Sequence, residues 1–386
     1  VLRADRRQPS QAVVARHVQV EQDQLDVGQG LERRQHGIQR IGFMHHHVAL
    51  EDQIDIDSLV RFLCGRAVGF VAGGGGSLGT AHVGVYKAFR ERGAMFDIFV
   101  GTSVGSAMAA GFAKNYDAEH LERGTHEIFV SSRSFRRPTW PRYALLDHKA
   151  FDAALADQYG HNCRIEDCWR PFAAVATNLS THSLELIRTG LLWQAVRASS
   201  AIPGLLPPFY THDGSMLVDG CLVDNVPLAQ MHQMKSGPNL VVHFGEPATE
   251  MFDVDYAALP GRFELLASLL MPFRRKALPA APSAVNVLWR SLVAHQRYDT
   301  LPTTPLDMVM RPPTPDGIDV TDFDRHQEIF QSSYRWARET IAVSEAAHNP
   351  AIAAIFASAK DVDKDADRSA DHATVTAPVS QQARVG

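Results

Sequence analysis

Ala67-Val-Gly-Phe-Val-Ala-Gly-Gly-Gly-Gly-Ser-Leu-Gly79 opens on a short apolar run and closes on a string of glycines. A run of this length stopped by glycine reads as a buried strand. Thr80 to Arg92 then sets Val83, Tyr86 and Phe89 at helical spacing, with Gly93 as the C-cap. Asp97-Ile-Phe-Val-Gly101 reads as a second strand and Val104 to Ala113 as a helix of small residues. Strand, glycine turn, helix, strand, tight turn, helix: this alternation predicts an α/β fold with a mostly parallel sheet and its functional loops at the carboxyl ends of the strands.

Outward from this centre, Ser58 to Leu63 reads as an amphipathic helix. Phe172 to Thr177, Ser183 to Arg188 and Asn239 to Phe244 read as strands, and Leu191 to Ser200 as a helix. Pro and aromatic residues from Phe135 to Tyr143 predict an irregular surface loop. Further helices are expected over Ser283 to Gln296 and Asp324 to Ser344. Ser358 to Gly386 contains no Leu, Ile or aromatic residue, cannot bury a core and should be disordered. The resulting division is a poorly ordered linker or remnant over 1–56, a core over 57–246, a helical extension packed on it over 247–357, and a tail over 358–386. His45, His46 and His47 read as a solvated turn, because consecutive imidazoles point in different directions on a regular backbone.

Lys and Arg total 38 against 43 Asp and Glu, a net charge of -5, so nucleic acid is not expected as a partner. Four cysteines in 386 residues make no disulfide scaffold, and no CxxC pair suggests structural zinc. A reduced, cytoplasmic setting is the expectation. No window approaches the roughly 18 apolar residues of a membrane span, and Val1 to Gly30 shows no secretory signal pattern.

Three stretches can carry chemistry. Gly73 to Gly79, between a strand and a helix, lets amide N–H groups face a ligand at a helix N-terminus. A P-loop is excluded because Leu78-Gly79-Thr80 lacks the required Lys. A dinucleotide fingerprint (Gly74, Gly76, Gly79, with Asp97 downstream) and an oxyanion hole both remain open for this loop. Gly101-Thr-Ser-Val-Gly105 is G-x-S-x-G between a strand and a helix, the setting of a nucleophile elbow that exposes Ser103; a plain turn is the alternative. Val218-Asp-Gly-Cys221 can project Asp219 from a strand end into a cleft, or can be an ordinary Asp-Gly turn. His82, His212 and His243 are the histidines placed to complete a triad, but a carboxylate can itself accept the proton of a serine if the oxyanion is well stabilised.

In this order and context the three stretches resemble the patatin-like phospholipase family, over roughly Gly65 to Gly245. The resemblance implies a three-layer α/β/α sandwich and a Ser–Asp dyad that cleaves acyl esters through an acyl-enzyme without a cofactor or metal. Ser103 matches the nucleophile, Asp219 the base, and Gly74, Gly75 and Gly76 the oxyanion loop, with Gly79, Gly101, Gly105 and Gly220 supporting the motifs. Arg197-Ala-Ser-Ser-Ala-Ile-Pro-Gly204 also resembles a family segment. His45 to His47, Gly65 to Gly69, Pro272 to Arg275, Met310 to Pro313 and Phe323 to Ala337 look like the bacterial relatives of neuropathy target esterase.

The implied substrate is a phospholipid or lysophospholipid, with peripheral contact at the inner membrane face. Leu205, Leu206, Phe209, Tyr210 and Trp193 could line an acyl pocket or belong to the core. Leu265 to Lys276, apolar then basic, could lie on an anionic membrane or pack on the hydrolase. Two departures stand out: Leu78 where the family usually has Arg or Lys, and Cys221 where it usually has Gly or Ala. Loss of the cation makes a weakly active or inactive lipid- or partner-binding protein the alternative reading.

Overall fold

Gly69–Ala72 is buried on both faces because it is the middle strand of a sheet covered on both sides by helices. The computed structural model describes residues 53–245, 251–265, 279, 281–282, 284–294, 301–318, 320 and 322–357. In chain order these form α1 (Gln53–Leu63), β1 (Gly69–Ala72), α2 (Thr80–Glu91), β2 (Ile98–Thr102), α3 (Val104–Ala113), α4 (Ala118–Thr125), α5 (Lys149–Tyr159), β3 (Phe172–Asn178), β4 (Ser183–Ile187) and α6 (Leu192–Ser199). Then come β5 (Phe209–Tyr210), β6 (Met216–Asp219), α7 (Leu228–Met234), β7 (Asn239–Val242), α8 (Ala284–Val293), β8 (Asp307–Met310) and α9 (His326–Ala346). The three-layer α/β/α fold with a mostly parallel central sheet is as expected. No helix among the described residues is long and apolar enough to cross a membrane.

The parallel strands lie in the order β3-β2-β1-β7-β8. The chain winds outward from β1 to β3, then returns to fill the other side, so the winding direction reverses at β1. The carboxyl ends of strands at such a reversal form a crevice. Both the glycine loop after β1 and Ser103 after β2 open there.

β3 acts as a ruler that brings distant residues together. β2 pairs with its first half, Thr102 opposite Val175. β4 pairs antiparallel over Ala174 to Asn178, so it must use the other edge. β6 pairs antiparallel over Ala176 to Asn178 and therefore shares the β2 edge. β2 and β6 thus run head to head along one edge, and Asp219, opposite Ala176, arrives next to the end of β2.

Asp97, the acidic residue a dinucleotide site would need at the carboxyl rim, lies at the amino ends of the strands instead. Its carboxylate is taken by Arg61 (2.6 Å), Ser58 (2.6 Å) and the Val68 amide (2.8 Å), which together clamp α1 to the sheet. Above the sheet, Phe70, Tyr86, Phe96, Phe99 and Phe112 form an aromatic core, with Tyr86 and Phe112 stacked at 4.0 Å.

The described residues divide into two compact units: those up to Phe244 together with those from Leu301 onward, and those between Gly245 and Thr300. In the first, β8 extends the sheet beside β7, a strand in a region expected to be helical. α9 crosses α2 at Gly84, where a Cβ would come 2.2 Å from Ser333 Oγ and 2.7 Å from the Phe330 carbonyl. In the second unit, α8 carries Arg290, which hydrogen-bonds Asn286 at 2.7 Å and lies over the Phe252 ring. The linker and tail expectations, His45 to His47, and Leu265 to Lys276 apart from Leu265 itself, fall outside the described residues.

Candidate active site

Ser103 sits on the turn between β2 and α3 with φ 54 and ψ -129, a strained conformation for a side-chain-bearing residue. The turn tolerates it because its flanks have no side chains. A Cβ on Gly101 would meet the Gly105 carbonyl group at 2.5 Å, and one on Gly105 would meet the Ala72 carbonyl oxygen at 2.2 Å. The strain is held by hydrogen bonds. Ser103 N–H donates to Ser199 Oγ (2.9 Å), Ser199 Oγ donates to the Val175 carbonyl (2.6 Å), and Ser106 Oγ donates to the Ser103 carbonyl (2.6 Å).

Ser103 Oγ donates to Asp219 Oδ2 at 2.7 Å, across 116 residues of sequence. The other carboxylate oxygen accepts from the Cys221 amide at 2.9 Å, and the Asp219 carbonyl accepts from Thr177 Oγ1 at 2.8 Å. Gly220 lets the chain pass tightly here, since a Cβ would meet the Val175 carbonyl oxygen at 2.3 Å. Asp219 is fully buried, and burial pushes its carboxyl up to about 6 against the lowering effect of the Cys221 amide and the Ser103 hydroxyl. It is therefore a carboxylate at neutral pH, yet more basic than an exposed Asp. Cys221 is a compact buried residue whose thiol is pushed well above its usual range by burial and by Asp219.

The glycine loop leaves β1 and turns through a short 3-10 segment, Gly76–Gly79, into α2. Gly73 N–H donates to the Val242 carbonyl (2.9 Å) and Gly74 N–H to the Asn225 carbonyl (3.1 Å), while Asn225 Nδ2 returns a bond to the Gly74 carbonyl (3.2 Å). The Gly74 amide is thus already engaged, unlike its expected place in the oxyanion loop. The amides of Gly75 and Gly76 make no hydrogen bond among the described residues. Phe244 packs against Gly75, where a Cβ would be 2.2 Å from its ring. Gly76, at φ 57, would clash with the Val320 carbonyl at 2.3 Å if it carried one. Ser77 N–H donates to that same carbonyl at 2.7 Å. Gly79 packs on Val104, closing the loop onto the helix behind Ser103. Leu78 is buried with Ala81 and Ile329 against Phe244, Ile318 and Val320, so at this position an apolar contact stands where the family usually has a cation.

No histidine bonds to Ser103 or Asp219 among the described residues. His82 Nε2 donates to the Gly73 carbonyl at 2.8 Å, and burial lowers this imidazole to about 4, so it is a neutral strut for the loop. His243 is buried beside Arg311, and His212 is exposed on the turn after β5. Leu205 and Leu206 are core, whereas Tyr210 is 63 % exposed. Sequence reasoning missed Ser199, Asn225, Phe244 and Val320 as supports. Ser199 lay inside the segment Arg197 to Gly204, already set apart as a motif, and Asn225 follows the Asp-Gly turn. Nothing local marks Val320.

The fold and the turn together define an α/β protein with a serine on a strand–helix elbow and a carboxylate as its neighbour. Residues 70–232 match the model of the family described as patatin-like phospholipase. These residues form a domain of the patatin-like phospholipase family. The chain is 32% identical over 289 residues to a protein named lysophospholipase NTE1 of Coccidioides immitis, covering 74% of this chain and 18% of that one. To a protein named lysophospholipase nte1 of Aspergillus fumigatus it is 32% identical over 289 residues, covering 74% and 19%. To lysophospholipase NTE1 of Meyerozyma guilliermondii it is 30% identical over 291 residues, covering 74% and 20%. The chain spans about a fifth of the length of these curated relatives.

Proposed function

We propose that the chain is a serine acyl hydrolase that cleaves the carboxylic ester bonds of phospholipids or lysophospholipids with a Ser103–Asp219 dyad. The observation that carries this reading is the 2.7 Å bond from Ser103 Oγ to the buried Asp219 carboxylate, on a turn strained to φ 54. Ser103 Oγ attacks the ester carbonyl carbon as its proton passes to Asp219. The oxygen that gains the charge lies against the Gly75 and Gly76 amides, while Gly74 and Asn225 hold the loop in place. Collapse expels the alcohol, which takes the proton from Asp219 and leaves the acyl group on Ser103. Water then attacks the acyl-enzyme, gives its proton to Asp219, and the fatty acid leaves as Ser103 recovers its hydrogen. An oxyanion donor contributes on the order of 10² to 10³ in rate, so the two amides rank with the dyad. The lysophospholipase names of the relatives supply the substrate class.

Contact with a membrane surface from the cytoplasmic side belongs to the same proposal. The loop after Arg137 supports it, with Trp140 85% and Tyr143 76% exposed beside Arg142.

A fluorophosphonate probe tests the reading, together with fatty-acid release from lysophospholipid in anionic vesicles and in dispersed form. Wild type is expected to be labelled and to prefer vesicles, and Ser103→Ala to be neither labelled nor active. Asp219→Asn should lose turnover while remaining folded. Failure of folded wild type to label, or persistent labelling of Ser103→Ala, overturns the dyad.

A further inference from the structure

β7 and β8 run parallel with Val242 beside Met310, and the His243 amide donates to the Met310 carbonyl at 3.1 Å. His243 and Arg311 therefore stand side by side just past the strand ends, on the rim that carries the glycine loop and Ser103. His243 is fully buried, whereas Arg311 is exposed. Arg311 Nε donates to His243 Nε2 at 3.1 Å. A ring nitrogen that accepts this bond carries no proton, so His243 is a neutral imidazole. Burial, and then the Arg311 charge, lower it to about 4 and keep it neutral through the physiological range.

The consequence is a guanidinium bolted along one edge to a buried acceptor. Its two terminal nitrogens make no hydrogen bond or ion pair among the described residues. This is an unoccupied planar fork with its orientation already set, the geometry that receives two oxygens of a phosphate. Its position is also defined. His243 packs behind the first glycine of the loop, where a Cβ on Gly73 would lie 3.2 Å from His243 Cβ. β8 is three strands from β2, about 14 Å along the rim at the usual strand spacing, and the Arg311 side chain turns toward the end of β7, where it meets His243.

We propose that Arg311 is the subsite for the headgroup phosphate of the substrate, its terminal nitrogens binding two phosphodiester oxygens while the ester carbonyl lies at Ser103. This rests on the hydrolase reading above and adds a determinant of specificity to it. Arg311 accounts for preference between phosphate-bearing and neutral esters, not for the chemical step.

The test compares wild type, Arg311→Ala and Arg311→Lys on a short-chain lysophospholipid and on the monoacylglycerol with the same acyl chain. For the lysophospholipid, KM is expected to rise about tenfold or more in Arg311→Ala, as for loss of hydrogen bonds to a charged group. Arg311→Lys should fall between, having the charge without the fork. Monoacylglycerol turnover, which involves no phosphate, should change less than about twofold, on the same reasoning. Equal loss on both substrates would make Arg311 merely structural, and no change on either would remove it from the site. Glycerophosphodiester should inhibit wild type better than inorganic phosphate; the reverse order overturns the assignment to a headgroup. Binding of the lysophospholipid to Ser103→Ala protein, with and without Arg311→Ala, reads the subsite independently of turnover. A weakened affinity there upholds the subsite even if wild type proves inactive, and an unchanged affinity overturns it.

Discussion

The turn after β2 and the loop after β1 face the same crevice, yet they are built in opposite ways. The Ser103 turn takes its shape from local steric contacts, with Ser199 and Asp219 as its hydrogen-bond partners from elsewhere in the chain. Gly101 and Gly105 lie against each other, and most of its close approaches are to its own residues or to the adjoining β1. The glycine loop is held from outside, by the Asn225 and Val320 carbonyls, by Phe244 and by the His82 ring. A turn set by local sterics survives changes elsewhere and fails abruptly when its own residues change. A loop set by remote contacts can be loosened from more than two hundred residues away in sequence.

The largest effect should follow from breaking the locally shaped side. In Gly105→Ala the new methyl must displace the Ala72 and Gly73 carbonyl oxygens, 2.2 and 2.6 Å away, backbone atoms at the end of the central strand β1 and the start of the glycine loop. The expected destabilisation is on the order of 4 kcal/mol or more, seen as loss of soluble protein or a fall in Tm of about ten degrees. A variant that melts like wild type would show that the turn has more room than its geometry allows.

A smaller effect should come from the remotely held side. Leu78→Arg restores the residue type the family usually has, but here it drives a cation into the pocket formed by Ile318, Val320 and Ile329. A loss of about 2–4 kcal/mol is expected, together with slower probe labelling of Ser103 as the Val320 clamp on the loop slips. Unchanged Tm with faster turnover would mean that the C-terminal segment covers the loop without setting its shape.

The same contrast explains what could be read from the residues alone. The strand–turn–helix pattern around Ser103 is encoded within a dozen neighbours, so the parallel sheet, the elbow and its serine were legible. Asp219 could be matched only through family resemblance, because its approach to Ser103 depends on β2 and β6 sharing one edge of β3, a pairing no local period reveals. β8 was not anticipated: Asp307–Met310 is short, and it becomes a strand by pairing with β7. The engagement of the Gly74 amide by Asn225 was invisible for the same reason, since a glycine run announces available amides without saying which ones the fold consumes. Asp97 misled as an acidic residue at dinucleotide spacing because spacing does not distinguish the two ends of a strand.

The subtlest prediction concerns the junction of the two regions, where Asp219 holds a charge in a dry place. Its ordinary value is 3.8 and its folded value about 6, so the folded protein favours the protonated acid. That favourable contribution is complete below pH 3.8 and is lost as pH rises through about 6. Asp219→Asn cannot ionise and escapes the loss. Its Tm should match wild type near pH 4 and exceed it by a few degrees at pH 8, corresponding to at most about 3 kcal/mol. His82 and His243 act in the opposite sense: folded they are lowered to about 4 from 6.5, so stability falls as pH drops through that window. Both proteins share those histidines, and their contribution cancels in the difference between the two melting curves. In the wild-type enzyme the same ionisation should appear as a rise of kcat/KM with pH centred near 6, because only the carboxylate can take the Ser103 proton. A Tm difference that is flat from pH 4 to pH 8 would mean that Asp219 is not the strained acid its burial makes it, and that the dyad draws its basicity from somewhere else.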